Sequence, residues 1–182
     1  MRKVILTYGL IAGAILAAMM LIALPFQARI GFERAAVVGY TSMVLAFLMV
    51  YFGIRSYRDT VGGGQVPFPR ALLVGLAIVG IATVCYVATW EVIYYGFTPD
   101  FAEKYGAHLV EQARQAGATE AEVAAKVREM EEFARMYANP LVNIAMTALE
   151  PLPVGLVFAL VSAGILSRKK RDPDTESELA SA

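Results

Sequence analysis

The sequence predicts an all-α membrane protein that has four transmembrane helices and a periplasmic helical hairpin between spans three and four. Its mean hydropathy is +0.56 and 58% of its 182 residues are hydrophobic, which is more than a soluble domain of this size usually carries. The apolar residues are concentrated in blocks, and three of these blocks are long enough to cross a hydrocarbon core of about 30 Å. A fourth, shorter block follows Glu150, and the alternating segments typical of a membrane β-barrel are missing from the sequence.

The predicted segments follow one another along the chain. Residues 1–97 contain spans one to three, at about 4–26, 35–54 and 71–95, with a cytoplasmic loop at 55–70. They are followed by the periplasmic hairpin at 98–139, by span four at 140–167, and by a basic, then acidic, disordered tail at 168–182. The first apolar block is longer than the core of about 7–15 residues in a signal peptide, so we expect an uncleaved first helix.

The distribution of Lys and Arg predicts that both termini face the cytoplasm. Basic residues precede span one, occupy the loop 55–70 and follow span four, where Arg168 begins a basic cluster. The first loop on the opposite side carries only Arg29 and Arg34, with Glu33 beside them. We therefore expect a multi-pass protein of the bacterial inner (cytoplasmic) membrane.

The hairpin is predicted from helix start and stop signals. Thr98 begins a Thr-Pro-Asp sequence in which Thr98 would be the N-cap and the proline the first helical residue. Gly117 ends this helix, and Thr119 and Glu122 form a capping box that opens the second. Asn139 and the proline after it end the second helix or cap the next one.

Each hairpin helix has a narrow apolar stripe. The stripes consist of Phe101, Tyr105, Leu109 and Ala113 in the first helix, and of Val123, Val127, Met130, Ala134 and Tyr137 in the second. They pack on each other and on the membrane surface, or they form a docking face for a partner or a second copy.

The residue types in the sequence do not indicate an enzyme, a cofactor site or a metal site. The spans supply no Ser–His pair, paired Asp or metal cluster for hydrolysis within a membrane. His108 is the only histidine, and the only cysteine, Cys85, is expected to be a buried structural thiol. The formal net charge of zero gives no indication of nucleic acid. The expected partners are the lipid bilayer and either a protein partner or a second copy of the chain.

The most distinctive motif lies around the loop between spans two and three. A Gly-Ile-Arg sequence is followed by Tyr-Arg-Asp, a glycine-rich turn, a Phe and an Ala-Leu that enters a glycine-containing span. The residues of the motif are Gly53, Ile54, Arg55, Tyr57, Arg58, Asp59, Gly62, Gly63, Phe68, Ala71, Leu72 and Gly75. The sequence resembles the bacterial domain-of-unknown-function 4199 family over roughly residues 1–171, with Pro69 as a small departure. The resemblance implies a four-span inner-membrane protein and implies no activity.

Part of this motif forms a candidate cytoplasmic contact site, which we name the elbow. The elbow consists of Arg55, Tyr57, Arg58, Asp59, Gly62, Gly63, Phe68 and Arg70. Basic side chains and tyrosine anchor helix ends at the membrane interface. The glycines lack the Gly-Lys-Ser/Thr that a phosphate-binding P-loop requires, so we expect a flexible turn. The elbow is either a rigid connection or a site for a cytoplasmic partner or anionic lipid.

Spans one and four carry small residues at intervals of four. These residues are Gly9, Gly13 and Ala17 in span one and Gly155, Ala159 and Ala163 in span four. Small residues with this spacing let helix backbones approach closely within lipid. They serve contacts inside the bundle or contacts between two copies.

Glu91 and Glu150 are predicted to lie near the same outer boundary of the membrane. Counted at 1.5 Å per residue from Arg70 and Arg168, they fall ~31 and ~27 Å along their helices. The aromatic residues around Glu91 are those of an interfacial belt, namely Tyr86, Trp90, Tyr94 and Tyr95.

The role of Glu150 depends on where its helix begins. In one interpretation Glu150 begins span four, and Pro151 lies in the first turn, where its missing N–H costs no helical hydrogen bond. In the other, a helix starts at Pro140 and runs through, kinked by the two following prolines. A polar notch would then face the bundle interior and bind a proton, a cation or a polar ligand. The candidate residues of this polar notch are Glu91, Glu150, Arg29 and Arg34.

Two functions remain open from the sequence. The first is a non-enzymatic scaffold or accessory protein that contacts partners or lipids through the periplasmic hairpin and the elbow. The second is a small transporter or channel subunit that uses Glu91 and Glu150. Against the second, the sequence places no ionisable residue near the midplane of any span, where transport sites commonly lie.

Overall fold

The computed structural model describes residues 1–23 and 27–167, and for residues 27–30 it describes the backbone alone. Within these residues the regular structure is helical. The helices are α1 (Arg2–Ala23), α2 (Gln27–Thr60), α3 (Phe68–Phe97), α4 (Phe101–Gln115), α5 (Glu120–Tyr137), α6 (Pro140–Leu149) and α7 (Pro151–Leu166). The predicted tail at 168–182 lies outside the described residues.

Four stretches of helix are long and apolar enough to cross a membrane. They are Arg2–Ala23, Gly31–Thr60, Phe68–Phe97 and Pro140–Leu166. The predicted all-α class with four such helices is therefore confirmed, and it is compatible with a multi-pass membrane protein. The second and third stretches extend beyond the apolar blocks, so the connection between α2 and α3 is shorter than the predicted loop. A membrane helix that continues past its apolar block keeps its backbone hydrogen bonds satisfied at the interface.

The second span begins at a break in α2. Gly31 has φ 77° and ψ 164°, which is not helical, and it separates the first residues of α2 from the long apolar stretch. Glycine adopts a positive φ without steric penalty because it lacks a Cβ atom. The break lets the chain change direction between the short segment after α1 and the second span.

Helices α2 and α3 form the centre of the bundle, since each of them contacts both α1 and α7. The largest fully buried side chains between them include Phe47 and Ile54 from α2 and Ile78 from α3. Lipid tails are as apolar as these side chains, so close packing rather than exclusion from water holds such helices together.

Small residues give the helices their close approach. A Cβ atom added at Gly13 would lie 2.6 Å from Cβ of Cys85, and one added at Gly155 would lie 2.5 Å from Cγ1 of Val79. A Cβ atom at Gly9 would meet Ile81 at 2.8 Å in the same way. Of the other small residues predicted to pack in spans one and four, Ala159 and Ala163 are fully buried and Ala17 is partly buried. The structure thus places α1 and α7 against α3 through backbone that carries little or no side chain.

The α4–α5 hairpin is held together by packing and by a cap. Gly106 of α4 faces Met130 of α5, so that an added Cβ would lie 3.0 Å from Met130 Cβ. The Thr119 backbone amide donates to Oε2 of Glu122 at 2.7 Å, and the Glu122 amide donates to the Thr119 hydroxyl at 3.4 Å. The predicted capping box is confirmed. Gly117, with φ 83°, lies in the connection just after α4.

The predicted N-cap at Thr98 is wrong. Helix α4 begins at Phe101, with Asp100 before it. The Thr98 amide and hydroxyl both donate to the Ile93 carbonyl, at 3.0 and 3.4 Å, so Thr98 closes the end of α3 instead. The reason is that α3 continues to Phe97 and needs donors for its last carbonyl groups.

A single helical path leads from the hairpin into the last span. Asn139 caps α6, since its Oδ1 accepts from the Leu141 amide at 3.0 Å. Only Glu150 separates α6 from α7, and it has helical angles of φ −65° and ψ −54° without a side-chain cap. The structure therefore corresponds to the interpretation in which a helix starts at Pro140 and runs through. Pro151 has no N–H to donate to the carbonyl of Thr147, which accounts for the interruption at Glu150.

The close approach of α7 to α3 predicts that Gly155→Ala destabilises the protein. The added methyl group would overlap Val79, and overpacking of this kind costs about 1–3 kcal/mol. We expect a lower midpoint of thermal unfolding in detergent, although alanine is the better helix former. Gly164→Ala is the matched control on the same helix, because its Cβ would meet no atom within 4 Å. Equal midpoints for the two variants would contradict the packing described.

The capping box predicts a low pKa for the Glu122 carboxyl group. The Thr119 backbone amide, and then its hydroxyl, donate to the carboxylate and hold its pKa below the ordinary value. Because the folded pKa is depressed, the stabilisation is present above the ordinary pKa of about 4.3 and is lost as pH falls through the folded value. Carbon-detected NMR titration measures this pKa directly. We expect Thr119→Val to raise it part of the way, since the backbone donor remains, and Thr98→Val to leave it unchanged. An unchanged pKa in Thr119→Val would refute the role of the hydroxyl.

Candidate functional site

Aromatic rings attach the hairpin to the third span. The ring centroids of Trp90 and Phe101 lie 4.9 Å apart, and those of Tyr94 and Tyr137 lie 5.5 Å apart. The Trp90 indole N–H donates to the Tyr137 hydroxyl at 2.9 Å. Each well-oriented aromatic pair contributes about 0.5–1.5 kcal/mol beyond the area that it buries. The hairpin is therefore fixed to α3 by several small interactions that share residues.

A second set of contacts attaches the hairpin to the start of the second span. The Phe32 ring lies edge-on to Tyr105, with 5.5 Å between the centroids. The Gln112 side-chain amide donates to Oε1 of Glu33 at 2.6 Å. The hairpin thus bridges α2 and α3 at one end of the bundle.

A cavity of about 540 Å³ lies under this bridge. Its walls come from α1, α2, α3 and α6, with Glu150 after α6, and the hairpin covers it. Eight aromatic residues line the cavity: Phe32, Tyr40, Tyr86, Trp90, Phe101, Tyr105, Phe133 and Tyr137. Four methionines, Met19, Met20, Met43 and Met146, line it as well. An aromatic and methionine lining is apolar, polarisable and adaptable in shape.

A few polar groups face the same cavity. The Tyr86 hydroxyl donates to Oε2 of Glu150 at 2.6 Å, across 64 residues of sequence. The Thr147 hydroxyl lines the cavity and donates to Oδ1 of the fully buried Asn143 at 3.3 Å. Among the described lining residues, Glu150 is the only Asp, Glu, Lys, Arg or His. The site therefore combines a mostly apolar, partly open cavity with one exposed carboxylate that accepts a hydrogen bond from a tyrosine.

The residues of the predicted polar notch do not all lie on this cavity. Glu150 lines it, whereas Glu91 is not among the lining residues. Glu91 directly follows Trp90 and therefore points about 100° around the helix from it. Oε1 of Glu91 is buried and has no hydrogen-bond partner among the described residues. Arg34 is exposed and does not line the cavity, and the side chain of Arg29 lies outside the described residues.

The elbow is located at the connection between α2 and α3. The Arg58 guanidinium donates to Asp59 at 2.8 Å, and Nε of Arg55 lies 3.8 Å from the same carboxylate. Tyr57 is buried among the core side chains, and Phe68 and Arg70 are exposed. The glycines shape the turn: a Cβ at Gly62 would collide with the Gln65 carbonyl oxygen, and Gly63 has φ 61°. Asp59 lies beside two of the three arginines, so the elbow keeps a net positive charge.

The part of the chain that the structure describes holds no group of three His, Cys, Asp or Glu side chains that could bind a metal ion. His108 lies against the Phe32 ring, with 5.0 Å between the centroids.

The sequence predicts Phe101, Tyr105 and Tyr137 as residues of the apolar stripes, but it does not predict that they cover a cavity. Phe133 lies one helical turn before Tyr137 and was not singled out. The concentration of rings at one end of both hairpin helices, next to the aromatic end of span three, is the signal that could have indicated a shared cluster.

The hydrogen bond between Trp90 and Tyr137 predicts that Tyr137→Phe weakens the hairpin attachment. The variant keeps the ring but leaves a partly buried indole N–H without its acceptor, which costs about 1–3 kcal/mol. We expect a lower unfolding midpoint in detergent and a changed emission of Trp90, the only tryptophan. Tyr95→Phe is the control, because Tyr95 is 53% exposed. If both variants leave stability and emission unchanged, the hydrogen bond does not hold the hairpin.

Comparison with known proteins gives a family and no function. Neither the curated proteins nor the solved structures contain a match to the chain. A family model described as "Protein of unknown function (DUF4199)" matches residues 7–168. This range includes the motif between spans two and three and confirms the resemblance predicted from it. The match covers far more than half of the chain, and the protein therefore belongs to the DUF4199 family.

Proposed function

We propose that the protein is a non-enzymatic membrane protein that binds an amphipathic small molecule or lipid between its spans and the hairpin. The observation that carries this proposal is the cavity of about 540 Å³. Small-molecule sites typically have volumes of about 300–1,000 Å³, mostly apolar walls and a few polar groups that orient the ligand. The cavity has all three properties.

We also propose the orientation that the basic residues favour, with both termini in the cytoplasm and the hairpin in the periplasm of a bacterial inner membrane. The cavity would then lie at the periplasmic end of the bundle, beside the outer leaflet. A ligand with an apolar body would reach the cavity from that leaflet without crossing water.

The lining supports binding rather than catalysis. The described lining residues offer tyrosine, threonine and serine hydroxyl groups and one carboxylate, and they include neither histidine nor cysteine. Activation of a hydroxyl nucleophile requires a positioned base, but the Ser42 and Thr147 hydroxyl groups donate to the Val38 carbonyl and to Asn143 rather than to Glu150. Such an arrangement orients a ligand.

The hairpin contacts favour a cover over a free docking face. Its aromatic residues pack against α2 and α3, and α4 contacts α5 at Gly106, which faces Met130. Contact of the hairpin or the elbow with another protein stays a prediction of the sequence.

A transporter or channel subunit is the second candidate, favoured by the interruption of the last span at Glu150. Broken helices commonly line the sites of transporters. Those sites lie near the midplane, however, whereas Glu150 lies at the end of the bundle that the hairpin covers. Movement of a bound compound across a vesicle membrane would favour this candidate over simple binding.

The proposed function predicts that filling the cavity removes its ligand. Gly39 lines the cavity, and an added Cβ would meet no atom within 4 Å, so Gly39→Phe places a ring there without a backbone clash. We expect native mass spectrometry of protein from native membranes to show a bound small molecule or lipid. The variant should retain about one-tenth of it or less.

Gly80→Phe is the matched control. It adds the same ring at an exposed helical glycine of α3 that also has free space, and it should retain as much ligand as the unmodified chain. An empty unmodified protein, or equal retention by Gly39→Phe, would overturn the proposed function.

A further inference from the structure

The charge of the cavity indicates which class of ligand it accepts. We propose that the cavity binds an organic cation, in which an ammonium group lies against Glu150 and the aromatic rings and an apolar body fills the remainder. This inference rests on the proposed function, since it assigns the ligand of the same site.

Glu150 supplies the charge. It is the one charged side chain among the described lining residues, and Tyr86 holds it by a hydrogen bond to Oε2 of 2.6 Å. The hydrogen bond orients the carboxylate and leaves its other oxygen for a ligand. Glu150 is exposed at the open side of the cavity, so a cation can reach it while the apolar body lies against the lining residues. An ammonium group beside the carboxylate would gain a charge-assisted contact.

The aromatic rings supply the second part of cation recognition. The face of an aromatic ring attracts a cation within about 6 Å of its centroid, most strongly for tryptophan. Tyr86 contacts Glu150 directly, and Trp90 and Tyr137 are joined to each other on the same cavity. Aromatic faces next to a carboxylate form the chemistry that recognises alkylated ammonium groups.

Other ligand classes fit less well. A phosphate or carboxylate would meet Glu150 without a basic partner among the described lining residues. An uncharged apolar molecule would remove water from Glu150 without supplying a hydrogen bond or an opposite charge, which is unfavourable for a charged group. A cation alone compensates the carboxylate while its apolar body uses the methionine-rich walls.

The ammonium group has two sources, a lipid headgroup or a free amphiphilic amine. Both present the same chemistry to Glu150, and the composition of the bilayer distinguishes them. Digalactosyldiacylglycerol forms uncharged bilayers without an ammonium group, whereas phosphatidylcholine forms bilayers of zero net charge that carry one.

The test uses a pair of probes that differ only in charge. Phenyltrimethylammonium and tert-butylbenzene have the same shape, with nitrogen in the first where the second has carbon. The full chain is placed in digalactosyldiacylglycerol vesicles, and emission of Trp90 is followed as each probe is added. Trp90 is the only tryptophan and lines the cavity, so its emission reports occupancy of this site. The concentration of each probe in the membrane is measured, because the two probes partition differently into lipid. At equal membrane concentration, we expect phenyltrimethylammonium to bind at least about tenfold more tightly than tert-butylbenzene.

Two carboxylate variants locate the effect. Glu150→Gln keeps the shape and hydrogen-bonding capacity of the side chain without its charge. We expect it to lower the affinity for the cation about tenfold or more and to leave the uncharged probe unaffected. Glu91→Gln removes a carboxylate of α3 that does not line the cavity, and it should bind both probes as the unmodified chain does.

Each outcome decides between the two proposals. Equal binding of both probes, or equal loss of cation binding in both variants, would overturn the cation proposal and leave the cavity as a ligand site. No response to either probe, together with an empty cavity by mass spectrometry, would overturn the proposed function itself. Weaker cation binding in phosphatidylcholine vesicles would identify a lipid headgroup as the competing occupant. Equal binding of the cation in both bilayers would identify a free amphiphilic amine as the source of the ammonium group.

Discussion

The attachment of the hairpin to α3 through Trp90 is the interaction on which the candidate site depends. Two short amphipathic helices that pack mainly on each other have little apolar surface left for the bundle. The rings of Phe101 and Tyr137 supply that surface, and the indole hydrogen bond sets their position. With this attachment the aromatic residues of α2, α3 and the hairpin line one cavity, and the exposed carboxylate of Glu150 lies among the lining residues.

The parts of the fold that depend on local pattern could be predicted from the sequence. Hydropathy blocks identify spans because a bilayer has a fixed thickness, and the capping box at Thr119 is contained within four residues. Boundaries between elements were harder to predict, as Thr98 shows. Its side chain suits the start of a helix, but the preceding helix needed donors for its last turn. Local propensity could not show which of two neighbouring helices would use the threonine.

The partner of Glu150 could not be predicted from the sequence. The rise per residue predicts similar levels for Glu91 and Glu150, but it does not give the direction in which either side chain points. Which side of α3 faces α6 depends on packing between segments that are distant in sequence. The structure shows that Tyr86, rather than Glu91, meets Glu150. The same limitation applies to the cover of the cavity, since no local signal pairs Phe32 with Tyr105.

Helix α6 connects the hairpin to the carboxylate of the cavity. It begins at Pro140, soon after Tyr137, and ends at Leu149, directly before Glu150. Its ten residues span about 15 Å. Because Glu150 keeps helical angles, the length of this helix sets the spacing between the last aromatic ring of the hairpin and the carboxylate. An inserted or deleted residue in α6 would therefore change both the height and the direction of Glu150 relative to the hairpin.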